Sequence, residues 1–462
     1  MKTFFLQAAA TALLCAASAA LAEDAAVAPP EPAAPPAFRY GGDVRLRQEI
    51  WDDIPIPTES PAVTRKGLNN TYRLRTRVFA AYDFAEQVTA NVRLTHMFYK
   101  TINGVKSFDW PDEISLDTAN LAFRDLTGDG SKLVVGRQDI LLGSGRLVFE
   151  GTALDAARTT FFDGVLLHQP LSGDFSADLF AVYDKDEDDF VIGHVHRQLR
   201  GYSPGVDGRD EAGAGVFLNG KLLDGSLPGS LYYIWKHETA ARAADGASVP
   251  NADIHTAGIL LRPKFSKTLT GEFEYARQFD PASDDGIDAT LAYAGFKSMR
   301  GLKHGPPDGE DPRFGPTPQL GFGFDVTYLS GDDPDTGRNE AFNPIFSRYP
   351  FLSELMIYCF DTEGAGNWNN LIHPRVSVTA KCRGELTLAA GPVFAEERNG
   401  AGGGRDRGWL YTAQSTFLLL NGSKDGRGRT TGLFLLEVLD PGDYYVSDHT
   451  SYFFRWQVNV AF

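Results

Sequence analysis

The residues best placed to do chemistry are arginines. Arg39, Arg45, Arg47, Arg73, Arg75, Arg77, Arg93 and Arg124 fall within the first 124 positions, many of them two apart, and Arg455 lies close to the C-terminus. A guanidinium stays charged at any working pH and grips a carboxylate or phosphate through two parallel N–H bonds. Spacing by two puts side chains on one face of a β-strand, so the series reads as a basic ladder of the kind that selects anions in a pore. Arg375 and Lys381 can extend it; the parity of Arg137 is ambiguous, and it is left out. Asp43, Glu49, Glu272, Glu274, Asp325 and Glu437 occupy equivalent polar positions, so internal ion pairing is the competing reading.

Other clusters promise less. Asp184, Asp186, Asp188 and Asp189, and again Asp332, Asp333 and Asp335, lack the glycine and glutamate of a calcium loop and read as solvated loop tips. His194 and His196 read as an exposed loop pair. Gly201-Tyr202-Ser203-Pro204-Gly205 matches a nucleophile elbow in letters only, because neither a strand before it nor a helix after it is present. No catalytic residue, metal ligand or cofactor is expected.

The elements that must position the arginines alternate with period two. In 38–50, Tyr40, Val44, Leu46 and Ile50 oppose Arg39, Asp43, Arg45, Arg47 and Glu49. Segments 71–83, 88–98 and 114–126 repeat the pattern, with a turn after each even-numbered segment and a long loop after each odd one. Counting on through 131–140, 158–169, 174–184, 214–223 and their successors gives about eighteen strands. The last, 449–462, ends on Phe462 with Val460, Val458, Trp456, Phe454 and Tyr452 on one face and Arg455 on the other. A closed sheet needs its last strand beside its first, which sets Arg455 next to the first arginines. The expected fold is therefore all-β, a transmembrane antiparallel barrel of about 18 strands with short periplasmic turns and long extracellular loops. A soluble propeller is the alternative, but no blade-length repeat is present.

The ends and composition agree with that fold. Lys2, an apolar run to Ala20 and the Ala20-Leu21-Ala22 site have the form of a secretory signal over 1–22; Leu14 before Cys15 argues against a lipoprotein. Residues 23–37 are Ala/Pro-rich and read as a periplasmic leader, and 38–462 as the barrel. No later apolar run is long enough for a spanning helix. A net charge of −16 argues against nucleic acid as a partner. Cys359 and Cys382 fall on opposite sides of the expected membrane and are expected to be free thiols. Trp51, Trp110, Trp235 and Trp409 are placed for interfacial girdles.

Several ordered motifs resemble a known family. Gly136-Arg137-Gln138 is followed by Gly143-x-Gly145-Arg146-Leu147, then Arg158-Thr159-Thr160-Phe161-Phe162-Asp163-Gly164-Val165, Tyr328-Leu329-Ser330-Gly331-Asp332 and Pro441-Gly442-Asp443-Tyr444. Together, ahead of a C-terminal Phe, they resemble the alginate export family of outer-membrane porins. The extra Phe in the third motif and the long 299–317 connection depart from it. The resemblance implies a monomeric eighteen-stranded barrel surrounded by outer-membrane lipid, and the terminal Phe462 with alternate apolar residues before it looks like the signal read by the barrel-assembly machinery. The resemblance also implies passage of an anionic saccharide, alginate-like uronates foremost, through the arginine-lined lumen. A general anion-preferring porin is the alternative. An outer-membrane hydrolase and a purely structural barrel are weaker ones. Loop 331–371 is long enough to fold inward as a constriction.

Overall fold

The computed structural model describes residues 37–57, 65–103, 114–126, 128–150, 162–185, 191–192, 206–207, 209–243, 248–282, 286–302, 318–347, 352–359, 368–382, 384–423 and 428–462. The signal segment, the leader up to 36, Trp110, the 158–161 half of the third motif, Asp186, Asp188, Asp189, His194, His196, 201–205 and most of 299–317 lie outside them.

The alternation seen in the sequence becomes a closed 18-strand antiparallel barrel. Its strands are β1 (Phe38–Asp52), β2 (Asn69–Ala85), β3 (Val88–Asn103), β4 (Ile114–Arg124), β5 (Lys132–Gln138), β6 (Phe162–Pro170), β7 (Phe175–Asp184), β8 (Glu211–Leu222) and β9 (Leu227–Glu238). They continue as β10 (Ala252–Leu261), β11 (Leu269–Phe279), β12 (Asp288–Gly301), β13 (Gln319–Leu329), β14 (Leu371–Lys381), β15 (Gly384–Phe394), β16 (Asp406–Leu420), β17 (Thr430–Asp440) and β18 (Ser451–Ala461). Closure is made by β1 against β18, from Asp43↔Ala461 to Asp52↔Tyr452. The Phe462 amide and carbonyl each bond the Gly42 backbone at 2.9 Å. Gly42 is required there, since a Cβ would collide with the Phe462 ring. Among the described residues each of the eighteen strands is paired on both sides, which a sheet in lipid demands.

Side-chain parity then sorts the two faces. Tyr40, Leu46, Val78, Leu94, Leu121, Phe322, Val378, Leu388 and Leu436 are exposed on the outside. Phe38 stacks on Tyr40 with ring centroids 5.9 Å apart, and Tyr82 meets Phe84 edge-on at 4.9 Å, forming an aromatic girdle at the periplasmic rim. Trp409, stacked on Tyr411 at 6.3 Å, and Trp235 face outward near the opposite rim. Trp51 corrects the expectation of a girdle: it turns into the barrel and stacks on Tyr358 at 5.3 Å. An aromatic near a strand end suits either environment, and a loop inside the barrel claims this one.

Two connections fold inward. Residues 139–150, after β5, form a small antiparallel pair, Ile140–Leu142 with Val148–Glu150, to which Phe346–Ser347 adds in parallel. Phe346 belongs to the long segment between β13 and β14, so the two loops brace each other: the Phe346 amide donates to Leu147 O at 3.0 Å and Ser347 Oγ to Gly145 O at 2.6 Å. Ile140, Leu147, Val148, Phe346, Leu355, Met356 and Trp368 are buried with Phe162, Phe180 and Phe217 of the wall, a hydrophobic core inside the barrel.

Candidate functional site: an arginine-lined lumen beneath two inward loops

Register and burial bring part of the ladder together inside the barrel. Register sets Arg45 opposite Arg75, Arg47 opposite Arg73 and Asp43 opposite Arg77, and Glu49 opposite Arg455. Arg45, Arg47, Arg75 and Arg455 are all buried, while their neighbours of opposite parity are not. Like charges set side by side on adjacent strands repel, and shared carboxylates hold them. Glu49 receives Arg47, Arg73 and Arg455 at 3.3, 2.8 and 2.5 Å. Asp43 receives Arg75 at 3.1 Å and Arg77 at 2.5 Å. Arg455 also forks onto Glu354 of the long loop at 2.7 and 2.8 Å, and Arg73 lies 5.0 Å from the Tyr99 ring. Arg93 bonds Asp117 at 2.8 Å and Asp139 at 2.9 Å.

Arg39 and Arg124 stand apart from this group. Both are exposed at the periplasmic mouth, where Arg39 pairs with Asp83. Arg137, whose parity was ambiguous, points inward and pairs with Asp163 at 2.7 Å. Gly136 before it has φ 117°, a conformation that breaks the strict alternation and so hides the parity.

Arg146 belongs to the Gly143-x-Gly145-Arg146-Leu147 stretch of the first inward loop, where no period-two spacing marks it as part of the ladder. It crosses the lumen from the first inward loop to bond Glu272 and Glu274, both at 2.8 Å, with its guanidinium 3.6 Å over the Tyr293 ring. Burial opposes its charge, but Glu274 and Glu272 outweigh it and hold the guanidinium above its ordinary pKa. Ser144 Oγ and Tyr232 OH complete the shell of Glu274 at 2.6 and 3.0 Å.

The second loop is tied at several points. Lys236 Nζ donates to Ile345 O at 2.9 Å, Gln278 Nε2 to Asn343 O at 2.6 Å, and Lys66 Nζ to Tyr358 O at 3.1 Å. Glu437 accepts from the Leu355 amide at 2.7 Å and Ser353 Oγ at 2.8 Å. Cys359 is buried in this loop and Cys382 is exposed; both are free thiols. Asp332 and Asp333 accept backbone amides of their own loop.

Beneath the loops lies a cavity of about 820 Å3. Leu352, Ser353 and Glu354 line it from the loop; Arg47, Arg455, Arg262, Arg375, Glu272 and Asp325 give it charge; Ser377, Thr379, Thr387, Thr412 and Gln414 give it uncharged polarity. Of the nine arginines singled out in the sequence, Arg47 and Arg455 border this cavity. Arg375 joins them, held to Asp325 at 3.1 Å.

A closed barrel with an apolar outer belt, a charged lumen and loops folded inward is an outer-membrane porin fold, and the protein is an outer-membrane β-barrel. Solved structures with this architecture include Pseudomonas aeruginosa OpdL, 13% identical over 92% of this chain and 98% of that one, with a TM-score of 0.55. Others are P. aeruginosa OccK5 (OpdH), at 14% identity, 91% and 97% coverage and a TM-score of 0.53, and P. aeruginosa OpdQ, at 12%, 92%, 97% and 0.53. No family model matches the chain, and no curated protein matches its sequence. The porin barrel implied by the sequence resemblance is thus present, whereas alginate export in particular has no counterpart in these three neighbours.

Proposed function

We propose that the protein is a passive channel that admits small anionic solutes across the outer membrane. The observation behind this reading is the sharing of carboxylates: Arg47, Arg73 and Arg455 meet at Glu49 while Arg75 and Arg77 meet at Asp43. Ion pairing accounts for part of the ladder, as the competing reading holds, yet five guanidinium groups surround two carboxylates, and Glu354 adds a third. The surplus is positive inside a wall of low dielectric, where fixed charge acts over longer distances than in water. A polysaccharide is the less favoured cargo, since two inward loops fill much of the lumen and the remaining cavity suits a compact solute.

Arg47→Gln combined with Arg455→Gln removes two cavity-lining charges. The zero-current potential in a KCl gradient across a planar bilayer should move toward potassium relative to the unaltered protein. An unchanged potential would remove the ladder from the account of selectivity.

A further inference from the structure

Outside the lumen, one stretch of the periplasmic rim carries charge that the chain leaves unanswered. β12 ends there just after Arg300, and the turn between β10 and β11 brings Lys267 up to it. Leu269 pairs with Ser298, and the Met299 amide donates to Thr268 O at 2.9 Å, so the next step of the same register sets Lys267 beside Arg300. Both are exposed, and neither makes an ion pair or side-chain hydrogen bond among the described residues. Like charges side by side on adjacent segments repel. In the ladder Glu49 and Asp43 answer that repulsion; here no described carboxylate does.

Parity turns this pair to the membrane. Lys297 lines the cavity, whereas Phe296 is exposed on the outer wall. Arg300 shares the parity of Phe296, and Lys267 that of Leu269, another exposed outer residue. On the membrane side of the pair lies an aromatic floor. Phe265, from the same turn, stacks on Phe296 with ring centroids 6.0 Å apart, and Phe273 meets Phe296 edge-on at 5.3 Å. Gly271 makes room for this, since a Cβ there would come within 2.9 Å of the Phe265 ring. Phe322, exposed and the register partner of Ser298, continues the floor onto β13. Arg300 lies four residues beyond Phe296, about 10 Å nearer the periplasm once strand tilt is allowed for. That step compares with the headgroup layer, about 5–8 Å deep in each leaflet.

We infer that Lys267 and Arg300, with Phe265, Phe273, Phe296 and Phe322 beneath them, bind an anionic glycerophospholipid of the periplasmic leaflet. The lipid phosphate sits between the ammonium and the guanidinium, which supply charge-assisted hydrogen bonds, and an acyl chain lies along Phe296 and Phe322. A zwitterionic lipid offers the same phosphate but brings a cation of its own to two that already repel. Free phosphate offers the charge without the contact to the aromatic floor. The site is on the outer wall and does not depend on what passes through the lumen.

The test is lipid titration of the detergent-solubilised protein, beginning at Glu23, followed by native mass spectrometry with dioleoyl phosphatidylglycerol and dioleoyl phosphatidylcholine compared. Phosphatidylglycerol should bind the more tightly. Lys267→Gln with Arg300→Gln should weaken its binding by about fivefold for each charge removed and leave phosphatidylcholine binding unchanged. Lys132→Gln with Lys221→Gln removes two other exposed cations of the periplasmic rim that have no ion partner among the described residues; phosphatidylglycerol binding should then match the parent. Equal affinity of the unaltered protein for the two lipids overturns the inference. So does a Lys267/Arg300 variant that binds phosphatidylglycerol as the parent does, or an equal loss in both double variants, which would reduce the binding to net charge. Displacement of phosphatidylglycerol by glycerol 1-phosphate at the same concentration would assign the pair to a free phosphate and overturns it too.

Discussion

Two walls of the same barrel obey one alternation rule and reach opposite ends. On β18, β1 and β2 the inward positions are filled by Arg455, Arg45, Arg47, Arg73, Arg75 and Arg77, held in place by Glu49 and Asp43. The long loop leans on that wall through Glu354 and Tyr358, and little space remains. On β13–β16 the inward positions are Gly323, Ser377, Thr387 and Ala389, and the cavity survives. Inward parity decides which residues meet the lumen; side-chain volume decides whether the lumen stays open beside them. One wall supplies the field and the other the room.

The difference can be broken most forcefully at Glu49. This carboxylate is 1% exposed, and Glu49→Gln leaves three arginines without their shared partner. Removing one side of a buried ion cluster costs about 3–5 kcal/mol, so chemical denaturation in detergent should show a loss of that order. Any folded fraction should be more anion-selective than the parent, because the arginines remain. An unchanged midpoint would mean that the arginine wall does not depend on this carboxylate.

Phe346→Ala attacks the brace between the loops. Its ring packs edge-on to Phe162 at 5.8 Å and Phe180 at 6.2 Å, and Gly213 leaves the space it occupies, since a Cβ there would collide with it. Loss of a buried phenylalanine costs about 3 kcal/mol or more. Much of that loss should appear as release of the loops, so single-channel conductance should rise. A channel of parental conductance would show that the loops hold without this anchor.

The cysteines provide the gentlest probe. Cys359 lies in the inward loop with its thiol pushed by burial up to about 12, whereas Cys382 is exposed at the periplasmic end of β14. At pH 8 the Cys359 thiolate is scarce as well as inaccessible, and the thiolate is the reactive form. In a protein beginning at Glu23, and so without Cys15, a maleimide should therefore add once, at Cys382, and twice only in a background such as Phe346→Ala. Two additions to the unaltered protein would place the long loop outside the lumen.

Much of the barrel was legible because period two is a local signal. The strand count, the direction of Arg45, Arg75 and Arg93, and the closure of β18 on β1 all follow from alternation and a C-terminal aromatic. The site was legible on one side only. The carboxylate partners of Arg93, Arg146 and Arg455 are Asp139, Glu272 with Glu274, and Glu354. They come from loops or distant strands, and spacing holds no record of which loop turns inward. Arg137 was hidden by the positive φ of Gly136, and Trp51 by an aromatic character that serves lipid and loop alike. The uncharged wall drew no attention because serine and threonine on a polar face are unremarkable until neighbouring small residues leave a cavity in front of them.

The sign of the field inside the cavity tests the whole account most directly. With Cys382→Ser as background and Ser377→Cys as reporter, the rates of modification by negatively and positively charged methanethiosulfonates can be compared, each scaled to its rate with a free thiol in solution. The account predicts that the negative reagent reacts faster at position 377, and that the advantage shrinks as salt screens the arginines. A faster reaction with the positive reagent would contradict it.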